Sequence, residues 1–346
     1  MKTKKSSQKN SEAAPRRVVR SRAPVRVCDM GGWTDTWFCS DGAVLNMAVD
    51  LYTHVRLVEN GTGEIRIISE DLDRSAEIKD YRRIEYDGNL DLLKAAVKRM
   101  GLRAGVDIFV RADSPPGCGT GTSASVAVAT LGALAHYAGA PMTPLSVARL
   151  AHALETEELG MESGVQDQYA AAYGGICYMD IDYPRVRLRR LRLKKNTICE
   201  LEERFFVVYL GTRSSSAMHV RVVDRYRRGD KRIHRAFDEL TAAARDTAAA
   251  LTDGDLDAVA ALMNRNWAAQ RLLHPDMATP AILDVQRLAF RHGAAGFKVN
   301  GAGGGGSAVI LAAPGREHAL RSALLKHNAP LLPCKLNFSG LQTWEY

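Results

Sequence analysis

The residues with the clearest chemical potential lie between Asp113 and Ser125, reading DSPPGCGTGTSAS. Gly117, Gly119 and Gly121 alternate with small residues, two prolines stand in front, and a small-residue, apolar helix pattern runs on to Ala138. Glycines let several backbone N–H groups crowd round one anion. The helix behind them adds unpaired N–H groups and the positive end of its dipole. Thr122 and Ser123 sit at the turn into that helix, where a hydroxyl caps it or reaches a phosphate or its metal. No lysine follows the last glycine, so this is not a Walker A loop, and it lacks the GxGxxG spacing of a dinucleotide fold. It reads as a phosphate cradle built from Pro116, Gly117, Cys118, Gly119, Thr120, Gly121, Thr122 and Ser123. A plain Gly-rich turn between strand and helix is the alternative.

Other candidate groups surround this loop in the sequence. Glu155, Glu157 and Glu158 fall on one predicted helix, and Asp167 in GVQDQ opens another, where an aspartate by itself is most simply an N-cap. Near the start, RAPVR carries Arg26, and GGWTDT carries Gly32, Trp33 and Asp35; Asp35 alone would be a turn residue. Trp33 offers an apolar face for a ring. A second glycine-rich loop, Gly301–Gly306, includes Gly303 and Gly304. Thr212, Arg213 and Ser214–Ser216 precede a helix, where capping competes with a further anion contact.

The positioning elements follow from periodicity and turn chemistry. Strands are predicted over 42–49, 53–58, 64–69 and 106–112, the last delivering the chain into the cradle. A helix over 90–100 takes Asn89 as cap and Gly101 as stop. The helix after the cradle is apolar nearly all round and therefore buried. Helix 144–159 takes Thr143 as cap and Gly160 as stop, and a short helix ends at Gly174-Gly175. Strands 176–181 and 186–193 pair, with Arg187, Arg189, Arg190 and Arg192 on a wet face or protected edge. After residue 200 come a strand (205–210), helices over 214–250, 255–271 and 280–292, strands 296–299 and 307–312, a helix over 316–327 and a last strand over 333–338. Helices on one antiparallel sheet make this second half an α+β unit.

The 346 residues, 46% hydrophobic and 25% charged, are enough for two ordinary domains with ample core. No apolar run suits a membrane span and the N-terminus has no apolar core of a secretory signal, so a cytoplasmic location is expected. Lys2, Lys4, Lys5, Lys9, Arg16, Arg17, Arg20 and Arg22 stand against Glu12 alone, so seven of the eight net positive charges precede residue 23. A basic, disordered tail (1–20) on a nearly neutral body argues against a nucleic-acid reader. Six scattered cysteines without a CxxC pair read as reduced, mostly packed thiols rather than a zinc site.

Together these motifs resemble the GHMP small-molecule kinases, over roughly Arg22 to the C-terminus. The order is R-A-P-x-R, GGWTD, PPGxGxGTSA, Glu155 with GVQDQ, and GAGGGGS. The central loop is similar to the family's P-x-G-x-G-L-G-S-S-A signature, with Thr120 for Leu and Thr122 for the first Ser. The resemblance implies an α/β (α+β) protein with a mixed-sheet ATP-binding domain (21–200) and a ferredoxin-like α+β sandwich (201–346). It implies ATP and Mg²⁺ as cofactors: the 117–123 loop on the phosphates, Ser123 and Glu155 on the metal, with Glu157 and Glu158 as competing positions.

By the same resemblance Asp167 accepts or orients the proton of the acceptor hydroxyl, and Arg26 stabilises charge beside it. Asp35, Trp33, Gly32, Gly303 and Gly304 would face the substrate. Gly32-Trp33 replaces galactokinase's acidic-His pair, which argues against galactose. GGWTDT resembles fucokinases and DQYAAAYGG resembles manno-heptose 7-phosphate kinases. Both groups act on the anomeric hydroxyl, so the expectation is a sugar 1-kinase, with a homodimer left open. The alternatives are a kinase for mevalonate or homoserine and a catalytically silent nucleotide and sugar sensor.

Overall fold

The computed structural model describes residues 16–39, 41–212 and 216–346; most of the basic tail and Arg213–Ser215 lie outside the described residues. The chain runs β1 (Val18–Met30), β2 (Gly42–Glu59), β3 (Ile65–Ser69), β4 (Arg74–Ile78), α1 (Asp91–Met100), β5 (Val106–Ala112), α2 (Thr122–Tyr137), α3 (Pro144–Ala153), α4 (Gln166–Tyr173), β6 (Ile176–Asp182) and β7 (Arg185–Arg190). It continues as α5 (Lys195–Arg204), β8 (Phe205–Gly211), α6 (Ser216–Arg227), α7 (Lys231–Asp253), α8 (Leu256–Leu273), α9 (Pro280–Arg291), β9 (Ala294–Val299), β10 (Gly306–Ala312), α10 (Glu317–Lys326), β11 (Leu331–Leu332) and β12 (Gln342–Glu345).

The first sheet is mixed, ordered β12-β1-β2-β5-β3-β4, with only β3 and β5 parallel. Its organising strand is β2, whose first half pairs with β6 and whose second half pairs with β5. The long β1–β2 ladder shifts register at Pro24/Val25 and again between Val27 and Met30. Such irregularities bend a ribbon, and one ribbon here serves two cores. Leu57, Ile67, Ile108, Leu131 and Leu134 fill the first, against α1–α4. Met30, Leu45, Val207, Ala244 and Met263 fill the second, which both sheets share. The second sheet, β11-β8-β10-β9, is antiparallel throughout. With helices between β8 and β9 and between β10 and β11, that order is the ferredoxin-like split βαβ.

Several boundaries move. β1 begins at Val18, so residues 18–20, expected in the tail, are paired strand. The expected helix 214–250 breaks between α6 and α7, where the Asp230 carboxylate accepts from the N–H groups of Arg232 and Ile233 and starts a new helix. Helix 144–159 ends its α-geometry at Ala153 and widens into a π turn, Leu154–Glu158, closed by Leu159 N–H on Leu154 O at 3.1 Å. The predicted last strand keeps only a bridge from Leu336 to Val49. Asn337 Oδ1 accepts from Ser339 and Gly340, and the chain turns back as β12 onto β1. Alternation alone could not find that strand, because its pairing partner lies more than 300 residues away in sequence. Asn89 does not cap α1; Leu90 occupies that place in a left-handed conformation. The arginine-rich β7 is a sheet edge bonded only to β6, as expected. Among the described residues no helix is long and apolar enough to cross a membrane.

Candidate active site

The cradle is fixed from behind. Arg26 N–H donates to Thr120 O at 3.0 Å, the Arg26 Nη1 donates to Gly119 O, and Ser307 Oγ donates to Cys118 O at 2.8 Å. In a planar trans peptide the N–H points opposite to the C=O. Pulling these three carbonyls inward therefore turns the N–H groups of the partly exposed Gly119 and Gly121 outward, while Thr120 stays fully buried. Gly117, Gly119 and Gly121 all have positive φ (70°, 76° and 73°), which supplies the winding of the loop. Cys118 and Thr120 are buried, whereas Gly117 and, at the first turn of α2, Ser123 are exposed. The two glycine-rich loops touch: a Cβ on Gly306 would stand 2.6 Å from Cys118 O.

Ser123 Oγ donates to Glu155 Oε1 at 3.0 Å, while Ser163 Oγ (2.5 Å) and Gln168 Nε2 (2.7 Å) donate to Glu155 Oε2. Burial pushes the Glu155 carboxyl above its ordinary range, against the lowering effect of those hydroxyls and the amide. The π turn separates the three glutamates. Glu158 pairs with Lys98 and accepts from Tyr86 Oη (2.6 Å), and Glu157 pairs with Arg99 at 3.3 Å; all three partners belong to α1 or the loop before it. Of the three, only Glu155 meets the cradle.

Asp167, at the second position of α4, meets Arg26 in a two-point ion pair: Nε to Oδ1 at 2.7 Å and Nη2 to Oδ2 at 3.1 Å. The Arg26 side chain is 6% exposed and that of Asp167 27%. Burial alone would lower the Arg26 pKa, but the neighbouring Asp167, Asp29 and Asp35 outweigh it and hold the group well above its usual value. Gly121 packs on the Asp167 carboxyl so closely that a Cβ there would lie 2.9 Å from its Cγ. Asp35 is buried, with Oδ2 accepting from Gln166 N–H at 3.2 Å and Oδ1 from Gln166 Nε2 at 3.3 Å. Burial, reinforced by the Asp167 charge, raises its carboxyl to about 6.

Arg26, Trp33, Asp35 and Asp167 line one open pocket, together with Asp29, Thr36, Gly164, Gln166, His219, Gly301 and Ala302. Trp33 holds φ +85° and stacks on His219 with centroids 5.1 Å apart, and His219 Nδ1 pairs with Glu162 at 3.2 Å. Gly32 lies outside the lining, against Asp29. The C-terminal loop meets the pocket through Gly301 and Ala302, whereas Gly303 and Gly304 turn onto Met277.

A second, apolar pocket of about 300 Å³ adjoins the cradle, lined by Leu72, Leu92, Leu93, Val110, Pro116 and Ser123 among others. Sequence reading missed it, since its wall is assembled from three distant segments. It also missed Asp29 and Lys298, an ion pair (2.9 Å, each 1% exposed) whose carboxylate takes the Gly301 N–H. The available signal was a lysine inside the apolar strand pattern Gly296–Val299, because lysine is almost never buried unpaired. Gln168 was visible in GVQDQ, but not its bond to Glu155.

Residues 90–175 match the family model for the GHMP kinases N terminal domain and residues 247–329 that for the GHMP kinases C terminal. The chain is 27% identical to D-glycero-alpha-D-manno-heptose 7-phosphate kinase of Campylobacter jejuni, covering 95% of this chain and 99% of that one. It is 30% identical to a mevalonate kinase of Methanothermobacter thermautotrophicus, over 85% of this chain and 90% of that protein. The crystal structure of a D-glycero-D-manno-heptose 1-phosphate kinase from Bacteriodes thetaiotaomicron superposes with a TM-score of 0.78 at 26% identity, covering 95% of this chain and 99% of that one. With both family domains present in order on a matching two-sheet architecture, the chain belongs to the GHMP kinases and is an ATP-dependent kinase.

Proposed function

We propose that this kinase transfers the γ-phosphoryl group of ATP to the anomeric hydroxyl of a monosaccharide or sugar phosphate of the fucose or manno-heptose type. The observation that carries the reading is the meeting of Arg26, Asp167 and Gly121 at the mouth of a pocket that also holds Asp35. Phosphoryl transfer asks a protein for positioning and charge stabilisation rather than covalent chemistry.

The outward N–H groups of the cradle and the first turn of α2 would hold the phosphates, and the adjoining apolar pocket suits the nucleotide base. Asp167 would accept or orient the proton of the attacking hydroxyl, with Arg26 neutralising charge on the phosphoryl side. Asp35 and Gln166 would hydrogen-bond sugar hydroxyls, and Trp33 would pack on the ring.

Glu155 and Ser123 are the residues that would hold Mg²⁺. The fit rests on a carboxylate 2% exposed whose hydrogen-bond partners are all neutral. Among the described residues no cluster of three His, Cys, Asp or Glu side chains could hold a metal. One carboxylate and one hydroxyl, completed by phosphate oxygens and water, is an ordinary Mg²⁺ arrangement. When bound, the ion would neutralise the phosphate oxygens.

The second reading is a non-sugar alcohol, favoured by the identity to a mevalonate kinase. The buried acceptor Asp35 beside Trp33 favours a polyhydroxylated ring instead. A coupled ADP-release assay across L-fucose, other monosaccharides and manno-heptose 7-phosphate, with mevalonate and homoserine alongside, separates them. Sugar-dependent release with phosphorus on C1 by NMR supports the proposal, and turnover of mevalonate alone overturns it.

A further inference from the structure

The outer face of the first sheet carries a feature the kinase reaction does not use. Cross-strand register sets Trp344, Arg20, Arg56 and Phe109 in one row over β12, β1, β2 and β5, and Gln342, Arg22, His54 and Arg111 in the next. Arg20 and Arg56 are directly opposite each other on antiparallel strands, a placement in which like charges repel and destabilise the ladder. Neither has a carboxylate partner among the described residues. Arg20 donates to Tyr346 Oη (2.7 and 3.0 Å), and Arg56 lies 4.1 Å over the Phe109 ring. Arg22 likewise bonds only Gln342 (2.7 Å) and covers Tyr52 at 4.5 Å.

The acids on this face include Asp107, which pairs with Arg66 at 2.9 Å, and Glu77, exposed on β4. Asp113 is taken by His54 (3.1 Å) and Arg111 (3.0 Å), and Glu70 is exposed at the rim. Between these rows lies a polar groove of about 300 Å³, bordered by Trp344, which is 38% exposed. The first fifteen residues hold Lys2, Lys4, Lys5 and Lys9 against Glu12, so they have the same sign as the groove and cannot neutralise it.

We propose that this face binds single-stranded nucleic acid. Phosphates would lie between the opposed arginines and a base would stack on Trp344. A cationic groove bordered by aromatic rings is the chemistry that holds a strand through its backbone and stacks its bases without sequence readout. Part of the positive charge ahead of residue 23 that a tail would carry is folded, because Arg20 and Arg22 belong to β1.

The test is fluorescence anisotropy of the full chain with a labelled single-stranded RNA of about 12 nucleotides, titrated across salt with saturating Mg·ATP present. Binding should persist with ATP, since the groove is separate from the cradle. Arg20→Ala with Arg56→Ala should weaken it at least about tenfold and flatten the log–log salt slope by about 1.4, the share of two phosphate contacts to a single strand. Trp344→Ala should weaken it about fivefold or more, with ADP release unchanged in both variants. Wild-type affinity in the arginine variant would assign binding to the N-terminal lysines and overturn the proposal. Displacement by AMP as effective as by the oligonucleotide would also overturn it, in favour of a free nucleotide.

Discussion

The guanidinium of Arg26 on β1 and the carboxylate of Asp167 on α4 meet edge to edge at 2.7 and 3.1 Å, joining residues 141 positions apart. The same guanidinium grips Gly119 O of the cradle. One planar fork therefore fixes the proposed base and the phosphate loop to a common strand. An ammonium could replace its charge but not this geometry.

Asp167→Asn should lower kcat by about 10²–10⁴ while ATP affinity stays within about threefold. Isothermal titration with a non-hydrolysable ATP analogue gives the second quantity. A comparable collapse of ATP affinity would show that Asp167 holds the loop rather than the acceptor.

Glu155→Gln should raise the Mg²⁺ concentration for half-maximal rate by about tenfold or more, whereas Glu157→Gln and Glu158→Gln should leave it unchanged. The reason is geometric: the π turn commits Glu157 and Glu158 to Arg99 and Lys98. Metal titrations of initial rate decide between the three.

Asp35 gives a pH signature. Its folded carboxyl titrates at about 6 against an ordinary value of 3.8, so between those pH values the folded chain holds a proton the unfolded chain has lost. Stability from this group is greatest below about 4 and is lost as pH rises through 6, by up to about 3 kcal/mol. Asp35→Asn should therefore raise the melting temperature at pH 8, with the gain shrinking towards pH 5. The same variant should raise KM for the sugar and leave KM for ATP nearly unchanged. Equal changes in the two KM values would make Asp35 structural.

Gly121→Ala should lose activity more than Gly139→Ala. A methyl at residue 121 meets φ +73° and the Asp167 carboxyl at 2.9 Å, whereas at Gly139, φ +69°, nothing lies within 4 Å. Left-handed strain of about 1 kcal/mol is common to both, so the difference in kcat between the two variants isolates the contact with Asp167.

The sequence by itself determined the local elements and the identity of the chemistry. The cradle glycines, the buried helix behind them, Thr143 as a cap, and the small-residue loop before β10 are consequences of nearby residues, and they survive in the structure. Tertiary structure alone decided which groups meet. Glu155 parts from Glu157 and Glu158 because those two pair with Arg99 and Lys98 of α1, and Gly301 is held at the pocket by the carboxylate of Asp29, itself paired with buried Lys298. The β12 return, the nucleotide-side pocket and the opposed Arg20 and Arg56 all arise from segments far apart in the chain. Periodicity reports what a residue's neighbours in sequence permit. Contact between distant segments depends on sheet register and on shared burial, which no local window contains.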